Sequence, residues 1–267
     1  MIGTWTLVVV EAGLLLLFPL FMGLAIDDLF DESLRGIFLL GAVSTITIMT
    51  GAFRRLFDTR VYSKLIASIS QSICTQSKSA QDDVSVTTAR TNMATELVEF
   101  MENSFPEIIN SLIGLCGTLI LIFFLQFESF VACLVATMVI SAIYALTSEK
   151  TYQLNEGAND EFEKRVAVLA SRDSQRISRH FQNVVRWNIR LSDLETVTYS
   201  ASWLALVGVL LFSVWVTVQS GIESHGSVLA ILMYVFGYIE SVIVLPVFYQ
   251  QFVRLQEISR RLEQSPH

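Results

Sequence analysis

Two glutamates stand in stretches that otherwise carry no charge: Glu11 within residues 5–26 and Glu240 within residues 226–253. A carboxylate inside a membrane span is costly on any insertion scale and is by default a functional-site hypothesis. Its chemistry would be one of two kinds. Lost solvent and neighbouring like charge both favour the protonated form of a carboxylate, which suits a group that takes a proton from one side and releases it to the other. The same group can also hold a cationic substrate. Against both stands a packing reading, in which the glutamate hydrogen-bonds Ser, Tyr or backbone between helices, or snorkels toward the headgroups. At 1.5 Å per residue Glu11 lies about 9 Å beyond Trp5, and Glu240 about 21 Å beyond Gly226. In a hydrocarbon core of about 30 Å, entered from opposite sides, these depths put the two at nearly one level.

Polar side chains at helical spacing supply candidate walls for a water-accessible cavity. Thr137, Ser141, Tyr144 and Ser148 share one face of a helix, and Tyr234, Tyr238 and Ser241 fall on the side of Glu240. Asn110, Gly114 and Gly117 mark a face that a neighbour can approach closely. Each stripe also fits plain helix packing through small residues and interhelical hydrogen bonds. His180 and His225 have no Cys or carboxylate at metal-ligand spacing and are assigned no role. Cys74, Cys116 and Cys133 are an odd set without paired spacing, expected to pack as small apolar residues. No metal or cofactor is implied. Neither GxSxG, HExxH nor GxxxxGK[ST] occurs, so no enzyme activity of this chain is expected. Glu156, Asp160, Glu161 and Glu163 read as a solvated helix face.

The elements that must carry these residues follow from composition. Of 267 residues 52 % are hydrophobic and only 16 % charged, and mean hydropathy is +0.54. Soluble domains carry about 25 % charged residues, so this is an integral, all-α membrane protein in contact with lipid. A net charge of −7 without a basic stripe excludes a nucleic-acid partner. Six apolar runs are long enough to span: 5–26, 36–53, 108–127, 130–148, 196–222 and 226–253. No charged segment precedes the first, so it is expected to remain as a helix rather than be cleaved as a signal peptide. Of the 18 Lys and Arg residues all but Arg35 fall on one set of connections. By the positive-inside tendency this puts both termini and the long connections 54–105 and 149–195 in the cytoplasm. Those connections keep a helical apolar period, as in Val61, Leu65, Ile69 and Ile73, and have polar turns at 77–85 and 171–174. The spans are therefore expected to continue into the cytoplasm as paired helical rods.

Six helices with short outer turns and two long helical inner loops resemble the transmembrane domain of exporter-type ABC transporters. FPLFMGLAIDDLF (18–30) is similar to the end of that family's first helix, and GSVLAILMYVFGYIESVIVLPVFYQQFVRLQEISRRL (226–262) resembles its sixth. The resemblance implies a homodimer with a cavity on the two-fold axis, bordered by the first and sixth helices and hence by Glu11 and Glu240. It also implies that the turns near 81–85 and 172–175 correspond to segments that contact an ATPase. The sequence has no ATPase domain after its sixth span, so ATP hydrolysis by this chain alone is not expected. The SbmA/BacA peptide transporters, similar in fold and driven by protons, are a precedent for working without one.

Three readings follow. The first is a homodimeric, proton-coupled, ATP-independent transporter of a small amphipathic or peptide-like compound in a bacterial inner membrane. The second is an ABC subunit served by a separate ATPase subunit. The third is a membrane adaptor that moves nothing.

Overall fold

The computed structural model describes residues 2–76 and 84–264, and the described residues are helical with short breaks. In order they form α1 (Ile2–Phe30), α2 (Arg35–Gln76), α3 (Val84–Glu99), a π-helical turn (Phe100–Ser104), α4 (Phe105–Leu125), α5 (Phe127–Glu163), α6 (Arg165–Ala170), α7 (Ser174–Gln219) and α8 (His225–Gln264). Lipid offers no partner for backbone N–H and C=O groups, so a spanning segment must satisfy them within itself, and helices do so. Among the described residues six helical segments are long and apolar enough to cross a membrane, each over one of the apolar runs. An even number of crossings returns the chain to the side on which it starts, called here the terminal side.

The first two turns away from that side are tighter than the sequence suggests, and the third, 220–224, is slightly longer. Between α1 and α2 the chain reverses within Asp31–Leu34, with Glu32 in the left-handed region at φ 58° and the Ser33 N–H donating to the Asp28 carbonyl at 2.7 Å. A single extended residue, Gln126, separates α4 from α5. Gly221, at φ 67°, turns the chain from α7 toward α8, a backbone position where a residue without Cβ is unstrained. On the terminal side the expected rods are present. The 42 residues of α2 make a rod of about 63 Å, twice the hydrocarbon thickness. Residues 77–83 of the first expected inner turn lie outside the described residues. At the second turn Arg172 takes φ 52°, and the Asp173 carboxylate accepts from the Gln175 N–H at 2.9 Å, capping α7. The short helix α6, just before this turn, has no counterpart in the expectation.

The helices pack as two units, residues 1–127 with 216–267 and residues 128–215. In the first, α1 runs between α2 and α8, and small residues set the approach. A Cβ on Gly226 would overlap the backbone of Gly23, one on Gly36 would come to 2.6 Å from Ala25 Cα, and one on Gly117 would overlap Leu16. In the second, one face of each long helix is buried: Ser129, Cys133, Ala136 and Ile140 on α5, and Thr198, Ser202, Leu206, Val209 and Ser213 on α7. The opposite faces expose large apolar side chains such as Leu146, Leu204 and Leu211, as lipid-facing helices must.

Candidate functional site

Glu11 is not a lone charge. The antiparallel packing of α1 on α2 sets its carboxylate against Gly51, where a Cβ would come within 2.8 Å of Oε1. One turn further along α2, Arg54 donates from Nε to Glu11 Oε2 and from Nη1 to Asp58 Oδ2 at 3.3 Å. Both members of the Glu11–Arg54 pair are part-buried and Asp58 is buried. One guanidinium thus ties α1 to α2 where α2 leaves its apolar run. The sequence marked Glu11 but counted Arg54 only as one of the cations that orient the chain. No feature of either residue's neighbours reports the register of α1 on α2, which is what joins them.

Glu240 is placed differently. It lies on an exposed face of α8, and among the described residues no side chain pairs with it. Gly23 opposes Gly226 across α1 and α8, and Glu11 is twelve residues from the one and Glu240 fourteen from the other. The two carboxylates therefore sit at about the same depth, within about 3 Å by helical rise, as expected. The residues flanking Glu240 face inward. Tyr234 and Tyr238 are fully buried in the first unit, the Tyr234 hydroxyl donates to the Leu16 carbonyl at 2.7 Å, and Ser241 donates to the Gly237 carbonyl at 2.8 Å. These three residues are packing residues between helices here, not an open wall. The Asn110–Gly114–Gly117 stripe does what close approach requires, with Gly114 against Ser241 and Gly117 against Leu16.

The stripe on α5 lies in the second unit. Thr137 donates to the Cys133 carbonyl at 2.9 Å, Ser141 is exposed, and Tyr144 lies near Ser202 of α7. Tyr144 and Ser141 keep an accessible face, while Thr137 is partly enclosed.

Three contacts were not legible in the sequence. Asp27 accepts from the Ser224 hydroxyl at 2.5 Å and from the Gly226 N–H at 2.8 Å, so a carboxylate of α1 caps the first turn of α8. Gln126 Oε1 accepts from the Thr217 hydroxyl at 2.7 Å, joining the α4–α5 connection to the last turn of α7. In the second unit His180 Nδ1 meets Glu161 Oε1 at 2.9 Å, both buried, with Lys164 3.7 Å from the other oxygen. Glu161 is thus not part of a solvated face, and His180 has a carboxylate partner. The hairpin of α5 and α7 joins them across a separation that no sequence spacing rule covers. His225, by contrast, stacks on the Phe30 ring.

On the terminal side of the second unit, α6 presents Val166 at 77 % exposure and Leu169 at 46 %, beyond the stretch that lipid can cover. They form an apolar knob next to the tight turn at the left-handed Arg172.

No curated protein matches the sequence. The model of the family described as ABC transporter transmembrane region matches residues 1–226. That match covers five of the six spans and well over half of the 267 residues. The chain is a multi-pass membrane protein that belongs to the ABC transporter transmembrane region family.

Proposed function

We propose that the chain forms the translocation pathway of a membrane transporter for a small amphipathic or peptide-like compound. It works as a two-fold pair in a bacterial inner membrane, with its termini and helical rods in the cytoplasm, and is driven by an ATP-hydrolysing partner that docks on α6. The family supports the transport reading. The observation that carries the choice of energy source is the exposed Val166–Leu169 knob. A six-residue helix at the tip of a long hairpin gains nothing in water by presenting two aliphatic side chains, whereas a docking partner would bury them, at about 25 cal/mol for each Å² covered.

Proton coupling without ATP is the second reading, and it rests on Glu240. Glu11 contributes less to it, because Arg54 already balances its charge. The two readings separate in one comparison. The protein and its Val166→Asp variant are purified from native membranes in mild detergent and assayed for ATP hydrolysis, and the protein alone is then placed in liposomes under a pH gradient without nucleotide. Under the ATP-driven reading, hydrolysis co-purifies with the wild type, falls at least tenfold with Val166→Asp, and the pure protein moves no protons. Proton or cationic-probe flux through the pure protein that Glu240→Gln abolishes would instead establish the second reading.

A further inference from the structure

Where α2 leaves the apolar zone, several buried oxygens have no hydrogen-bond partner among the described residues. Asp58 is 3 % exposed, and while its Oδ2 takes a long bond from Arg54, its Oδ1 takes none. One helical turn on, Tyr62 is fully buried and its hydroxyl is unpartnered. On α1, Thr4 is fully buried with its hydroxyl likewise unpartnered. Gly3 lies against the Phe57 ring and Glu11 against Gly51, so the antiparallel register puts Thr4 level with Asp58. The third wall is the π-helical turn Phe100–Ser104, which carries Glu102, and the charges of both Asp58 and Glu102 act on the Tyr62 hydroxyl. Single π-helical turns inside α-helices are frequent at functional sites.

A buried polar atom without a partner costs about 1–3 kcal/mol, more when it is charged. Collecting three of them within about one helical turn, from two helices, is not a packing solution. Charge points the same way: Glu11, Asp58 and Glu102 bring three carboxylates, and Arg54 is the cation paired among them. The donor set is entirely oxygen, which selects hard cations over zinc or copper. Among the described residues no three His, Cys, Asp or Glu side chains converge as a metal group, so a caged divalent ion is not what the site fits. One or two carboxylate oxygens with two hydroxyls suit a small ion of single charge.

We propose that Thr4, Asp58, Tyr62 and Glu102 bind a sodium-type monovalent cation at the junction of α1, α2 and the π-helical turn. The ion would complete the coordination of the orphaned oxygens and hold the beginning of α1 against α2, next to the Glu11–Arg54–Asp58 bridge. The inference stands apart from the energy source of transport, because it concerns binding to the membrane region alone.

The test is thermal unfolding of the purified full chain in lipid nanodiscs, with sodium chloride titrated against choline chloride at constant ionic strength and potassium chloride as a second series. Sodium should raise the unfolding temperature saturably by several degrees, with potassium weaker and choline silent. Asp58→Asn should abolish the response. Tyr62→Phe, which retains the ring that fills the core and removes only the oxygen, should raise the half-saturating sodium concentration about tenfold, the equivalent of about 1.4 kcal/mol. A response that potassium and choline reproduce, or one that Tyr62→Phe leaves unchanged, overturns the site. So does a wild type whose unfolding temperature does not respond to sodium.

Discussion

The bridge from Glu11 through Arg54 to Asp58 decides how each member responds to substitution. Arg54→Met removes the one cation that pairs with Glu11 among the described residues and leaves Glu11 and Asp58 without it in a part-buried site. Breaking a buried pair from one side costs about 3–5 kcal/mol, whereas replacing both partners with apolar groups of similar size is often neutral. The pair is slightly accessible, so Arg54→Met is expected at the lower end, about 3 kcal/mol. Glu11→Gln combined with Arg54→Met should recover at least half of that loss. Denaturant or thermal unfolding of the four members of the cycle in detergent measures it, and additive losses would show that the bridge is not a coupled unit. The sequence exposed Glu11 and Glu240 as costly charges because hydropathy alone identifies them. It was silent on the partner of Glu11, and on the pairing of His180 with Glu161, because both pairs join residues on different helices whose register depends on every side chain between them.

Helix crossings carry the next level of specification. The spans were legible because an apolar run of membrane length has one stable form in lipid, and the helical rods because their period continued past the charged boundary. The ends were not. One residue, Gln126, suffices to separate α4 from α5, and the Gln126–Thr217 bond that fixes this corner spans 91 positions. The short helix α6 is too brief for any periodicity to register. Glycines were suggestive where they formed a stripe, as at Gly114 and Gly117, but the closest approach of all, Gly23 against Gly226, involves one glycine on each of two helices far apart in sequence. There a Cβ would meet backbone, which cannot rotate aside. Gly226→Ala is therefore expected to force α1 and α8 apart and to weaken both bonds that Asp27 accepts, at a cost of about 1–3 kcal/mol from overpacking alone. Gly208→Ala is the matched control, since nothing lies within 4 Å of a Cβ there. Unfolding temperatures of the two variants, read side by side, check it: a deficit confined to Gly226→Ala supports the crossing, and equal values count against it.

For the whole molecule, the division into two units bears directly on assembly. Residues 128–215 form a hairpin of two long helices with a short third, buried along one face of each long helix and broadly apolar on the others. In the membrane-spanning part lipid can cover those faces. The rods beyond it cannot rely on lipid, yet Tyr152, Phe162, Val185 and Ile189 are exposed there. Two-fold pairing, the commonest closed symmetry, covers such surfaces by presenting the same hairpin of each copy to the other. The expected particle is thus a dimer of twice 29.9 kDa, to be weighed by native mass spectrometry after release from detergent. Charge placed on the rods separates this from pairing through the spans alone. Val185→Glu with Ile189→Glu adds four carboxylates to a dimer at a position clear of lipid, where desolvation and repulsion both oppose burial. If the rods pair, the doubly substituted protein should weigh 29.9 kDa while retaining wild-type helical content. If it still weighs twice that, the contact between copies lies within the spans, and the exposed apolar residues of the rods await a different partner.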